Sequence, residues 1–168
     1  MLGPPKTQNS TGYPCQKTRA YWRNTSRIFR YILKSIMSAT ENKQLMHDIF
    51  AALAQGNSRP LVDAMAEDFS WTVSGTTKWS KTYAGKQTLL TELFGTLRSR
   101  IAGHIRTVGD RFIAEDDRVV VEAHGQNTTI AGKPYNNRYC FVFRLSAGKL
   151  KEVTEYLDTE LVTTTLGE

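Results

Sequence analysis

Two polar side chains that could transfer protons lie two residues apart on one predicted strand. Glu122 and His124 belong to the segment 118–129, where polar and apolar residues alternate. Residues at i and i+2 of a strand share a face about 7 Å apart. If that face lines a cavity, burial raises the pKa of Glu122 and the two side chains form an acid/base pair. The alternative is a polar face that is solvated or lies between subunits.

A third candidate for proton transfer, Glu155, lies on the last predicted strand. A carboxylate can orient an imidazole and hold it basic, so a pairing of His124 with Glu155 is chemically reasonable. A cross-strand polar pair that only sets the register is the alternative. By strand parity, Asp158 should lie on the opposite face of that strand from Glu155.

Several other side chains are candidate ligand contacts. Trp71 precedes the turn-rich segment 74–84 and Tyr83 lies near its end, and we expect this segment to form the mouth of a cavity. Tyr83 and Tyr139 could each donate a hydrogen bond to a ligand oxygen, although buried tyrosines also bond to backbone carbonyls. His104 and Asp158 complete the set. Aromatic residues can equally form the core of a small domain.

The sequence gives no sign of a bound metal or cofactor. The three histidines, His47, His104 and His124, are scattered along the chain, and the two cysteines cannot build a metal cluster. No phosphate-binding glycine loop and no serine or cysteine nucleophile motif is present. We therefore expect no metal and no cofactor.

Hydrophobic periodicity and turn residues predict the elements that position these side chains. Three helices are predicted, over residues 38–55, 58–66 and 86–101. Five strands are predicted, over residues 67–73, 104–114, 118–129, 135–145 and 150–157. Early helices followed by hairpin-linked strands indicate an α+β fold, in which a curved antiparallel sheet packs with the three N-terminal helices around an internal pocket.

Charge divides the chain of 168 residues into a basic tail and a nearly neutral domain. The net charge is +6, yet residues 1–36 hold seven basic and no acidic residues, while residues 37–168 hold 15 basic and 16 acidic residues. We therefore predict a disordered tail over 1–36 and a folded domain over 37–168 that has no reason to bind nucleic acid. No apolar run is long enough for a transmembrane segment.

Three interpretations of the tail remain open. It could be an organelle transit peptide, a basic segment for a membrane surface or nucleic acid, or sequence upstream of a true start at Met37. We favour the third, because Ser38 to Glu41 form a capping box directly after that methionine. If the true start is Met37, we expect a cytoplasmic location. If the tail is a transit peptide, we expect an organelle location.

Three local patterns resemble the SnoaL-like branch of the nuclear-transport-factor-2-like superfamily, which includes ketosteroid isomerases, limonene epoxide hydrolases and polyketide cyclases. They are Asp68-Phe69-x-Trp71, the segment Tyr83-Ala84-Gly85-Lys86, and the ending with Gly148-Lys149-Leu150 and Glu155-Tyr156-Leu157-Asp158. The resemblance covers residues 40–165. It implies a cone of the cystatin-like roll type with an internal pocket, and a homodimer formed through the outer face of the sheet.

The resemblance does not decide the reaction. Glu122 and His124 stand where epoxide hydrolases have an Arg-x-Asp pair, and residues 69–91 contain no acid to serve as a ketosteroid-isomerase base. The fold hosts many functions. We expect a small, largely apolar ligand, with or without cofactor-free acid/base catalysis of an isomerase, cyclase or hydratase kind. The alternatives are a non-catalytic binding or dimerisation module and an adaptor that uses its basic tail.

Overall fold

The computed structural model describes residues 38–167. The helices are α1 (Ala39–Ala54), α2 (Arg59–Ala64), α3 (Lys86–Thr88), a π-helical segment (Leu89–Phe94), α4 (Gly95–Arg98) and α5 (Thr159–Leu166). The strands are β1 (Met65–Val73), β2 (Thr82–Ala84), β3 (Thr107–Glu115), β4 (Arg118–Gly125), β5 (Asn127–Thr128), β6 (Pro134–Tyr135), β7 (Arg138–Ser146) and β8 (Lys149–Leu157). This is the α+β class that the sequence predicts.

The first helix begins at the predicted capping box. The Ser38 hydroxyl accepts from the Glu41 backbone N–H at 3.2 Å, and the Glu41 carboxylate accepts from the Ser38 backbone N–H at 2.8 Å. Two of the free N–H groups at the helix start are thereby bonded. One apolar stripe of α1, with Met46, Ile49 and Phe50, is buried against the sheet. The predicted tail, residues 1–36, lies outside the described residues.

Six strands form one curved sheet in the order β2-β1-β8-β7-β4-β3. Every neighbouring pair is antiparallel except β1 and β8, which run parallel. The prediction of a wholly antiparallel sheet is therefore corrected at this one pair. Hairpins join only strands that follow each other along the chain, whereas residues 74–148 separate β1 from β8.

Strand alternation gives the sheet two chemically different faces. The inner face, which packs against the helices, carries buried apolar side chains such as Val121, Phe143 and Val153. The outer face carries Glu122, which pairs with Cys140, and His124, which pairs with Arg138. A polar residue therefore reaches the interior only where it replaces an apolar residue of the inner face.

Two helical regions differ from the prediction. The third predicted helix ends at Arg98 rather than Ile101 and contains a π-helical segment. The C-terminal helix α5 was not predicted. Asp158 does not continue the last strand but caps α5, accepting from the Glu160 and Leu161 backbone N–H groups at 3.0 Å. The placement of Asp158 on a strand face is thus corrected.

None of the helices within residues 38–167 is both long and apolar enough to cross a membrane.

Candidate functional site

A cavity of about 310 Å³ lies between the inner face of the sheet and the helices. Its walls are mainly apolar and aromatic, with Phe50, Trp71, Phe94, Phe141, Leu157 and Val162 among the lining residues. This volume lies at the lower end of the range for small-molecule sites. Among the described lining residues, Glu155 is the only acid.

Glu155 reaches this cavity because β8 places it on the inner face. It pairs with Val73 of β1 and with Phe141 of β7, so apolar strands flank it on both sides. Only 9% of the residue is exposed. Burial in these surroundings raises the pKa of the Glu155 carboxyl from 4.5 to about 7, because the charged form loses its hydration.

Trp71 supplies the hydrogen bond to the Glu155 carboxyl. Its indole Nε1–H donates to Oε2 of Glu155 at 2.7 Å. This bond favours the carboxylate and partly opposes the rise in the pKa of Glu155. Edge-to-face contacts with Phe94 and Phe141, at centroid distances of 5.4 and 5.8 Å, hold the indole in place. Within residues 38–167, Oε1 of Glu155 accepts no hydrogen bond, so it is available to a ligand.

Two tyrosines, Tyr135 and Tyr139, line the same cavity. Burial raises the pKa of Tyr135 to about 12, and a hydrogen bond from Tyr139 partly opposes that rise. Burial likewise raises the pKa of Tyr139 well above 10. Both side chains therefore keep their protons at neutral pH. The Tyr139 hydroxyl donates to Tyr135, and a ligand oxygen could replace Tyr135 as the acceptor of that bond.

The rim of the cavity is basic. Exposed Arg98, at the end of α4, and exposed His104 both line it. Gly56 has a φ of +77°, and a Cβ there would lie 2.6 Å from the Cβ of His104. A side chain at position 56 would therefore displace His104 as well as strain the backbone.

Glu122 and His124 lie away from this cavity. They are on the outer face of β4, because Val121 and Ala123 occupy the inner face. The Glu122 carboxylate lies 3.5 Å from the Arg111 guanidinium. Nδ1 of His124 lies 2.9 Å from each carboxylate oxygen of Asp110. The predicted pairing of His124 with Glu155 is therefore not formed.

The predicted ligand contacts are divided between the cavity and other places. Trp71, Tyr139 and His104 line the cavity. Tyr83 is buried, but its hydroxyl donates to the Trp79 carbonyl at 3.2 Å and the residue is not among those lining the cavity. Asp158 acts as a helix cap. No three metal-binding side chains of the described residues are grouped so that they could hold an ion.

Sequence reasoning missed Asn137, which connects β7 to the last helix. It is fully buried, its Nδ2 donates to the Asp158 carbonyl at 2.9 Å, and its Oδ1 accepts from the Asp158 backbone N–H at 3.0 Å. These bonds hold the start of α5, whose Val162 and Leu166 close one wall of the cavity. An isolated asparagine gives no pattern in the sequence that could reveal this role.

Solved structures described as NTF2-like proteins share this fold of a sheet packed with helices. The chain belongs to the SnoaL-like domain family, whose sequence pattern matches residues 46–153. No curated protein matches the chain.

Solved structures show the same fold at low sequence identity. An NTF2-like protein from Burkholderia pseudomallei K96243 is 21% identical, with a TM-score of 0.66 over 79% of this chain and 100% of its own. A proposed SnoaL-like polyketide cyclase from Jannaschia sp. CCS1 is 16% identical, with a TM-score of 0.60 over 77% of this chain and 93% of its own. TerC, co-crystallised with polyporic acid, is 18% identical, with a TM-score of 0.63 over 76% of this chain and 98% of its own.

Proposed function

We propose that the protein binds a small, largely apolar molecule in the cavity and that Glu155 exchanges a proton with it. The observation that carries this proposal is a single carboxyl group in an apolar, aromatic cavity, with its pKa raised to about 7. A structural acid would be expected to have an ionic partner, because burying an unpaired charge is costly. Among the described residues, no basic side chain forms an ion pair with Glu155.

The surroundings of Glu155 suit general acid/base catalysis. A group whose pKa lies near the working pH is present in both protonation states, so it can take up a proton and return it. Trp71 holds Oε2, which leaves Oε1 to face the reacting carbon of a ligand. The ligand oxygen on which negative charge develops can replace Tyr135 as the acceptor of the Tyr139 hydrogen bond.

One cycle consistent with these roles begins with a ligand that has a C–H bond next to a carbonyl. The carboxylate of Glu155 takes that proton, the electron pair moves into the carbonyl, and the enolate oxygen accepts a hydrogen bond from Tyr139. Glu155 then returns the proton to the same carbon, which is exchange, or to the far carbon of a C=C bond conjugated with the enolate, which is an isomerisation. In a cyclisation the enolate carbon would instead attack a second carbonyl carbon of the ligand, and Glu155 would pass its proton to the oxygen of that carbonyl. None of these steps needs a cofactor.

Two neighbours in the fold support this choice. TerC was co-crystallised with polyporic acid, and the Jannaschia protein is described as a proposed polyketide cyclase. Because both are under 25% identical to this chain, their descriptions support the class of ligand and not its identity.

A deuterium-exchange experiment tests the proposal. The full chain is incubated with 2-tetralone, a two-ring ketone with acidic C–H bonds, in D₂O, and exchange is followed by NMR. We expect wild-type protein and the outer-face variant E122Q to accelerate exchange above the buffer rate and E155Q to lose the acceleration. Binding without exchange would favour the alternative function, a non-catalytic ligand-binding module. Absence of binding would contradict both.

We also propose a homodimer formed through the outer face of the sheet. This face exposes 51% of Tyr156 and contains half-buried Val120 and Val142. A dimer would bury these apolar side chains. Sedimentation of the full chain tests it, and a monomer at all concentrations would contradict it. A cytoplasmic location stays a prediction from the sequence.

A further inference from the structure

The cavity is lined by a buried acid and by exposed basic side chains. Glu155 is the only acid among the described residues that line it, and it is buried. Arg98 and His104 line the same cavity but are exposed, so they belong to the rim. Arg98 has no carboxylate partner within the described part of the chain. A cation with no partner beside an open cavity is available to a ligand.

From this asymmetry we infer that the ligand is an amphipathic acid, which holds its anionic group at the rim beside Arg98 and His104 and its hydrogen-bonding end at Glu155. The inference rests on the proposed function, since it assumes that a ligand occupies the cavity. An anionic group beside buried Glu155 would lose its hydration next to a carboxyl that ionises near neutral pH. At the rim it stays partly hydrated and faces the guanidinium of Arg98.

The aromatic lining of the cavity specifies the rest of the molecule. Trp71 contacts Phe94 and Phe141 edge to face, and all three residues line the cavity, which favours a flat ring system. A cavity of about 310 Å³ leaves room for two or three fused or linked rings. The ligand class is therefore a ring compound with a hydroxyl or carbonyl group at one end and a carboxylate at the other.

Three probes with the same two-ring body test the inference by calorimetry on the full chain. They are 2-naphthol, which is neutral, 6-hydroxy-2-naphthoate, which is anionic, and 2-naphthylmethylamine, which is cationic. At low salt we expect the anionic probe to bind roughly three- to fivefold more tightly than 2-naphthol, as for a partly exposed ion pair. R98Q should bring this ratio to about one, and so should salt at roughly 0.5 M.

Matched variants separate this inference from the proposed function. R111Q removes an outer-face arginine and should leave the affinity ratio of the wild type intact. A ratio of one or less in the wild type, a ratio that R98Q does not change, or preference for the cationic probe would overturn the inference. In those cases a loss of 2-naphthol binding in E155Q would still support the proposed function. If no probe binds at roughly 1 mM, both fail.

Discussion

The indole Nε1–H of Trp71 donates a 2.7 Å hydrogen bond to Oε2 of Glu155, a residue 84 positions further along the chain, across the parallel pair of β1 and β8. This bond leaves the other carboxyl oxygen free and moderates the rise in the pKa of Glu155. The functional proposal depends on this relationship, because it gives a buried carboxyl a defined orientation without an ionic partner.

The stability of the protein should depend on the protonation of Glu155. Its folded-state pKa is raised from 4.5 to about 7, so over that range the folded state keeps a proton that the unfolded state has lost. Stability therefore falls as pH rises from about 4.5 to about 7 and then levels off. E155Q should lack this component and be more stable than wild type at pH 8 by on the order of 3 kcal/mol.

Urea unfolding of wild type and E155Q at several pH values measures this effect. The difference between the two proteins isolates Glu155 from the other titrating groups. E122Q is the control, because Glu122 lies on the outer face beside Arg111. Its stability should fall with rising pH as the stability of the wild type does. An E155Q protein that keeps the full decline would show that Glu155 is not buried as described.

Removing the indole donor should raise the pKa of Glu155 further. The hydrogen bond from Trp71 lowers this pKa, and phenylalanine cannot replace the bond. In W71F the pH at which stability stops falling should move above the wild-type value. W79F is the matched control, because Nε1 of Trp79 donates to the Gly167 carbonyl at 3.1 Å and not to Glu155. If the pH at which stability stops falling moves equally in W71F and W79F, the assigned role of Trp71 would be contradicted.

Loss of the Tyr139 hydroxyl should weaken the binding of a ketone. One neutral hydrogen bond contributes about 0.5–1.5 kcal/mol, so Y139F should bind 2-acetonaphthone roughly two- to tenfold more weakly than wild type. Y156F removes an exposed hydroxyl on the outer face and should bind as wild type does. Calorimetry at pH 7 compares the three proteins. If Y139F binds 2-acetonaphthone as tightly as the wild type does, Tyr139 does not contact the ligand.

The last helix should depend on Asn137. N137A deletes both hydrogen bonds to Asp158. The Asp158 backbone N–H then loses its partner, whereas the Asp158 carbonyl keeps the bond from the Val162 backbone N–H. We expect a loss of about 2–3 kcal/mol in the free energy of unfolding, seen as a fall in Tm of roughly 4–12 °C. N57A is the control, because Oδ1 of Asn57 accepts only an exposed bond from the Arg59 backbone N–H. A fall no larger than that of N57A would contradict the role of Asn137.

Local patterns predicted the elements well, because capping and alternation act over a few residues. The capping box from Ser38 to Glu41 is an example. Helix α5 escaped prediction because residues 163–165 are three threonines, which are weak helix formers. Tertiary contacts stabilise it instead, through the Asp158 cap and the burial of Val162 and Leu166.

The site was harder to predict than the fold. Glu155 was a candidate from its chemistry, but its partner Trp71 is 84 residues away and meets it only through the parallel pairing of β1 and β8. Glu122 and His124 have equally suitable chemistry, and alternation shows only that they share a face. Which face lies inside depends on burial of their neighbours Val121 and Ala123, which strand spacing alone does not determine.

The central claim is that Glu155, and not the outer-face pair Glu122 and His124, contacts a ligand. Calorimetric titration of the full chain with 2-naphthol at pH 8 tests it most directly, because Glu155 is then mainly ionised and accepts the phenol proton in a charge-assisted hydrogen bond. We predict roughly tenfold weaker binding in E155Q and wild-type affinity in the double variant E122Q/H124Q. Unchanged affinity in E155Q, with a loss in the double variant, would contradict the account.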